Sequence, residues 1–298
     1  MKYRFIFERH VPYSVGAQCR VLAVSRSGYY HWQQQTTTRR ARENGALLER
    51  TRVLYAKSRG RYGSPRITRA LRQEGYPCSR NRVARLMRED HLAARPKRRF
   101  TVTTQSDHRK ASRNLLDRHF HISKPNHAWT SDITYIETRQ GWLYVAAVMD
   151  LCTRKIVGLA MRADLSQELA IDALRQAIQR AQPPAGLLLH SDRGVQYASD
   201  AYRAIIREHG IRQSMSRRAN CWDNAPMESF FKTMKVELVY AHHYETRSEA
   251  AQSIFEYVEV FYNRQRLHSA LNYQSPDAFE ASFNQSSTTA PEQVSAVH

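Results

Sequence analysis

The sequence has 298 residues and a formal net charge of +19, so it can bury a substantial core and divide into more than one domain. The charge is concentrated at the front: residues 1–100 hold 24 Lys/Arg against 6 Asp/Glu, and the remainder holds 22 against 21, a skew that suggests one region gripping a polyanion and another doing chemistry. A membrane span, a secretory leader and a disulfide or zinc framework are all disfavoured. No apolar run nears the roughly 20 residues a bilayer needs, Met1-Lys-Tyr-Arg-Phe-Ile-Phe-Glu8 is broken by charges, and Cys19, Cys78, Cys152 and Cys221 stand far apart. A cytoplasmic protein with no membrane partner is expected.

The first hundred residues read as short helices. Val15–Ala23 carries apolar residues at helical spacing, Val24-Ser25 makes a turn, and Arg26–Trp32 opens another helix, a pattern suited to a helix-turn-helix unit. Residues 39–59, with Arg39, Arg40, Arg42, Arg50 and Arg52, form a connecting helix. A second unit follows. Ser64-Pro65 supplies a start and Gly75 a stop, and Ile67, Ala70 and Leu71 make the apolar stripe. Ser79 then caps a helix whose Val83, Leu86 and Met87 face inward. Arg80, Arg82, Arg85 and Arg88 occupy its other faces, and with Arg66 they are candidate phosphate contacts. Pro96-Lys97-Arg98-Arg99 begins a basic linker and adds three more. The expected division is 1–60, a first unit with its connecting helix; 61–100, a second; 101–124, a linker; 125–280, a catalytic core; and 281–298, a disordered tail rich in Ser, Thr, Gln and Ala.

From about residue 125 the hydrophobic period changes. Strands are predicted at 128–137, 143–150 and 155–162 with short turns between them, an antiparallel meander. A helix from Ser166 to about Ala181, a strand at 187–191, a helix at 198–209, a strand at 211–215 and a helix from Ala225 complete the order βββαβαβα. That order implies a mixed sheet with helices on both faces, as in a ribonuclease H-like α/β fold. A helix over 248–262 follows.

Three carboxylates stand out. Asp132 lies inside the first strand, where an ionised side chain is costly without compensation. Asp192 ends the run Gly186-Leu-Leu-Leu-His-Ser-Asp192. Glu228 opens the helix from Ala225, with 35 residues between it and Asp192. Hard divalent cations take carboxylate oxygens from separate elements, and paired cations serve in-line phosphoryl displacement. Met227, Phe231, Met234 and Leu238 make one stripe of the last helix; Glu228, Lys232 and Lys235 make a parallel one, so a carboxylate and two candidate DNA-contacting lysines can line a cleft. Asp150, at a strand end before a turn, reads as structural. Asp223 or Asn224 is expected to cap the Glu228 helix, Trp222 to serve either as a buried anchor or as a base-stacking platform, and Tyr262 to His268 either to face DNA or to pack.

His190-Ser-Asp-Arg-Gly-Val-Gln-Tyr197, Asn220-Cys-Trp-Asp-Asn-Ala-Pro-Met-Glu-Ser-Phe-Phe-Lys232, Tyr262-Asn-Arg-Gln-Arg-Leu-His-Ser-Ala-Leu271 and Tyr62-Gly-Ser-Pro-Arg-Ile67 together resemble OrfB, the catalytic product of bacterial insertion sequences of the IS-three family, with a core like that of retroviral integrases. The resemblance implies a DNA transposase with Asp132, Asp192 and Glu228 as its acidic triad, holding two Mg2+ or Mn2+ ions. It further implies double-stranded DNA as substrate (terminal inverted repeats and target), a homo-oligomer on that DNA, and an upstream-frame OrfA product as partner or fusion. The His/Cys zinc module of the integrases has no counterpart, so zinc is not implied. Two rival readings are a catalytically silent DNA-binding regulator and a plain metal-dependent nuclease.

Overall fold

A computed structural model describes residues 2–8, 13–34, 39–94, 112–217 and 220–288. Two compact units emerge, Met1–Ala94 and Arg95–His298. Among the described residues no helix is long and apolar enough to cross a membrane, and Cys19, Cys78 and Cys152 are free thiols.

The N-terminal unit is all helix: α1 (Lys2–Glu8), α2 (Val15–Val21), α3 (Arg26–Gln33), α4 (Arg39–Lys57), α5 (Ser64–Gln73) and α6 (Arg80–Glu89). The two expected helix-turn-helix pairs are α2–α3 and α5–α6, and they share local chemistry. Each turn contains a residue with positive φ, Ala23 or Gly75. Each second helix is capped by a serine whose Oγ accepts a backbone N–H, Ser25 from Gly28 and Ser79 from Arg82. Helix α1, which the charge-broken sequence did not announce, adds Ile6 to the small core of Cys19 and Tyr29. Helix α5 begins on Gly63 rather than on a serine cap. Ser64 is already its first residue, and Gly63 makes no side-chain cap bond.

In the larger unit the strands are β1 (Ala128–Thr138), β2 (Gly141–Asp150), β3 (Ile156–Arg162), β4 (Leu188–Ser191) and β5 (Arg212–Met215), in the sheet order β3-β2-β1-β4-β5. The pairs β1–β2 and β2–β3 are antiparallel; β1–β4 and β4–β5 are parallel. This is the mixed sheet the alternation predicted. Helix α7 (Gln167–Ala181) lies on β3 and β2, so close that a Cβ on Gly158 would stand 2.1 Å from the Ala173 carbonyl oxygen. With α8 (Val195–Ala198) and α9 (Asp200–Glu208) it closes a core around Trp129, Val148, Leu174 and Tyr202. Helices α10 (Ala225–Glu237) and α11 (Arg247–Glu256) pack on β1 and β2 without joining that cluster, which puts helices on both faces. A π-helical turn, Tyr257–Tyr262, continues α11. Just beyond it the Asn263 amide bonds both the N–H and the carbonyl of Ile156, completing the edge of β3 as a further strand would.

Two boundaries differ from expectation. Residues 112–124 belong with the core rather than with a linker, because Leu116 is buried with Ala128 and Leu151 while Phe120 and Ile122 pack alongside. Helix α12 (Pro276–Thr288) carries regular structure past residue 280, into the stretch expected as a tail; the rest of that stretch lies outside the described residues.

Candidate active site

The sheet register brings the two aspartates level. The parallel pairing of β1 and β4 runs Ala128↔Leu188, Trp129↔Leu189 and Thr130↔His190, and ends there. Asp132 and Asp192 each lie two residues beyond that last pair. Side chains two apart share a face, and neighbouring strands are about 4.8 Å apart. The two aspartates therefore come close together at the point where the strands stop pairing, and Asp132 feels the charge of Asp192.

Glu228 reaches the same place because α10 is pinned to β1. Asn224 accepts from the Thr130 hydroxyl and donates Nδ2 to the Ser131 carbonyl oxygen at 3.1 Å, the two residues just before Asp132. Glu228 lies in the first turn of the helix that starts there. At the other end of α10, Glu237 is gripped by two Arg266 nitrogens at 2.9 and 2.8 Å and by the Tyr257 hydroxyl at 2.8 Å. Met227, Phe231, Met234 and Leu238 are buried as their spacing predicted, and Lys232 is exposed.

Electrostatics agree with this placement. Burial lifts Asp132 well above the ordinary carboxylate range, and repulsion from Asp192 and then Glu228 adds to it. Asp192 and Glu228 are also raised, both by burial. Asp132 Oδ1 accepts from the Ile133 N–H at 2.8 Å and Asp192 Oδ1 from the Gly194 N–H at 2.9 Å, which among the described residues leaves one oxygen of each uncommitted. Lys235, lowered by burial and raised by Asp132, has its Nζ 5.1 Å from the centre of the Tyr135 ring. A buried Asp132 repelled by Asp192 and Glu228, themselves raised by desolvation, suits a hard cation, and the donors are all oxygen. Zinc's usual nitrogen and sulfur donors are not part of the set. His190 is fully buried, with both ring nitrogens engaged by Ser214 and Ser216. Among the described residues no three His, Cys, Asp or Glu side chains already close around one metal position.

Other expectations resolve differently. Neither Asp223 nor Asn224 caps α10 through its side chain. Both are buried and turned to long-range partners, Asn224 to β1 and Asp223 to Arg217, Arg118 and Asn114. Trp222 is 69% exposed, which removes the buried-anchor reading. Tyr262, Asn263 and Arg266 are buried and pack, as one of their two readings had it. Asp150 accepts the Asn126 and Thr153 N–H groups, both at 2.7 Å, and is a turn anchor. In the N-terminal unit Arg80, Arg85 and Arg88 are exposed along α6. Arg82 is not available in the same way: its Nε donates to Asn44 at 2.7 Å and it pairs with Glu43 at 3.5 Å, so it ties α6 to α4. Arg66 lies over the Tyr62 ring at 5.6 Å. Lys97, Arg98 and Arg99 lie outside the described residues.

Comparison with known proteins places these features. Family models for an integrase core domain match residues 122–221 and 209–276, and one for an HTH-like domain matches residues 42–100. The chain is 43% identical over 268 residues to the insertion element IS600 uncharacterized 31 kDa protein of Shigella sonnei, covering 90% of this chain and 98% of that one. It is 41% identical over 283 residues to transposase InsF for insertion sequence IS3A of Escherichia coli, covering 94% and 98%. Among solved structures it resembles the catalytic core domain of BIV integrase, at 16% identity and a TM-score of 0.42 over 55% of this chain and 99% of that one. It also resembles the HTLV-2 integrase catalytic core domain in complex with magnesium, at 15% identity and a TM-score of 0.41 over 56% and 99%.

Proposed function

The chain belongs to the IS3 family of insertion-sequence transposases, and on that premise we propose that Asp132, Asp192 and Glu228 are the carboxylates with which it cuts and joins DNA. The observation that carries the reading is the register that sets Asp132 and Asp192 level, two residues past Thr130↔His190. Their uncommitted oxygens, with Glu228 across from them, would hold two Mg2+ or Mn2+ ions. Bound there, such ions supply Lewis-acid stabilisation to the attacking and leaving oxygens of a phosphodiester. The chain's own part is placement. The Ile133 and Gly194 N–H groups fix one oxygen of each aspartate, and the Asn224 link sets the helix that carries Glu228. Lys232 and Lys235 offer positive charge to the DNA backbone beside that cleft.

Two displacements of the same kind follow. Water attacks the phosphodiester at an element end, breaking the bond to the 3′ oxygen and leaving a 3′-hydroxyl on the element. That hydroxyl then attacks a second phosphodiester and releases a new 3′-hydroxyl, one bond made for one broken, with no protein–DNA covalent intermediate. We assign backbone contacts in the N-terminal unit to Arg66, Arg80, Arg85 and Arg88, continued by Lys97, Arg98 and Arg99. Joining two ends calls for a homo-oligomer assembled on the DNA, working in the cytoplasm at the nucleoid, with an upstream-frame OrfA product as partner or fusion.

The test uses purified chain, labelled duplex carrying the element's end, and Mg2+ or Mn2+. Cut and joined products are expected, and Asp192→Asn should keep DNA binding while losing both. Cutting without joining would reduce the protein to a nuclease; binding alone would make it a regulator.

A further inference from the structure

Trp222 is 69% exposed, an unusual position for an indole in a well-packed domain. It sits in the 3-10 turn Cys221–Asn224, and the two residues after it are buried and hydrogen-bonded to distant elements. Asp223 accepts Arg217 Nε at 3.0 Å and Nη2 at 2.8 Å, Arg118 Nε at 2.9 Å, Asn114 Nδ2 at 2.9 Å and the Arg217 N–H at 2.9 Å. Asn224 is bonded to the Thr130 hydroxyl and the Ser131 carbonyl of β1. The indole is thus displayed on the turn that leads straight into the Glu228 helix, and among the described residues it makes no ring contact of its own. The residue that follows it, Asp223, holds the guanidinium groups of Arg118 and Arg217, and both of these remain nearly half exposed. A flat aromatic face beside cations, next to a phosphoryl-transfer site, fits an unstacked base whose phosphate lies among the arginines.

We propose that Trp222 is a stacking residue for a nucleobase of the DNA substrate, drawn out of the duplex next to the phosphodiester to be cut. The proposal rests on the transposase reading of the same site. Stacking on a fixed indole would hold the backbone at the carboxylates, and removing such an aromatic platform commonly weakens an interaction roughly ten- to a hundredfold.

The experiment uses the full-length chain and a duplex carrying the element's end, with 5-iododeoxyuridine placed in turn at positions spanning the cut. After irradiation, the crosslinked peptide is identified by mass spectrometry. A crosslink at Trp222 is expected at one or two adjacent positions, kept in Trp222→Tyr and absent in Trp222→Ala. With Mg2+, cleavage by Trp222→Ala should fall about tenfold or more, while Trp222→Tyr recovers most of the rate and the thermal midpoints stay alike. Absence of a Trp222 crosslink at every position, or wild-type cutting by the alanine variant, would overturn the proposal. A wild-type chain that crosslinks at Trp222 yet never cuts would instead overturn the transposase reading and leave the stacking contact standing.

Discussion

Arg118 donates Nε to Oδ1 of Asp223 at 2.9 Å, so the segment that enters the core is pinned to the turn that launches the Glu228 helix. Asp223 is fully buried, and hydrogen bonding first from Arg217 and then from Arg118 holds its carboxyl well below the usual carboxylate range. A carboxylate depressed in the folded state stabilises it above the unfolded value, 3.8, and that contribution fades as pH falls toward the folded one. Asp223→Asn should therefore cost about 2–3 kcal/mol at pH 7, since its arginine partners lose a charged acceptor. Urea unfolding at pH 7 and pH 3 checks this: the gap between variant and wild type should shrink at pH 3. An equal gap at both would mean that Asp223 does not act through its charge.

The three carboxylates make a prediction of opposite sign. Asp132 is raised by burial, by Asp192 and by Glu228, so the metal-free protein loses stability as pH rises past the unfolded value and forces that carboxyl to ionise. Asp132→Asn should raise the metal-free melting midpoint at pH 7 by about 2–4 °C, the shift about 1 kcal/mol makes in a domain of this size. Cleavage should fall at least about a hundredfold. Added Mn2+ should raise the wild-type midpoint more at pH 8 than at pH 6, because protons compete for the same oxygens, and should leave the variant unmoved. A midpoint that responds equally in both proteins would place the ions elsewhere.

His190 supplies a separate acid sensitivity. It is fully buried between the hydroxyls of Ser214 at 2.8 Å and Ser216 at 3.1 Å, and burial lowers its pKa from 6.5 to about 4. The unfolded chain takes up a proton below 6.5 and the folded one does not, so stability drops between pH 6.5 and 4 by up to about 3 kcal/mol. His190→Gln should be less stable at pH 7 but show a shallower decline across that window. If the two unfolding profiles run parallel, the ring is not held neutral in the fold.

What could be read from the sequence followed the range of the interactions. Strands β1 to β3 and the buried face of α10 are written in local periodicity, and both appear where the pattern put them. Asp132 stood out because a carboxylate inside a strand is locally anomalous. The positions that misled are those satisfied at long range. Asp223 and Asn224 look like caps for the helix beside them, yet their partners Arg118 and Thr130 lie about a hundred residues away in sequence. Leu116 looked like part of a basic linker until Ala128 and Leu151 covered it. No local pattern specifies that β4 pairs with β1 so as to level the two aspartates; it is a product of chain crossover.

Helix α6 carries both a tied arginine and exposed ones. Arg82 is half-buried and bonded to Asn44, so Arg82→Ala should lower the stability of the N-terminal unit by about 1 kcal/mol, the usual worth of such a hydrogen bond. Arg80 and Arg88 are exposed, and their alanine variants should stay within about 0.5 kcal/mol of wild type. Their effect should appear instead in the salt dependence of binding to an end-sequence duplex. Removing one arginine from a DNA phosphate should reduce the log–log slope by about 0.9. Arg85 should show less of it, because its guanidinium already pairs with Glu89 at 2.8 Å and must leave that pair to reach DNA. Titrations of the full chain at several salt concentrations decide the matter. Unchanged slopes for both Arg80→Ala and Arg88→Ala would mean that α6 turns its arginines to solvent and that another element grips the backbone.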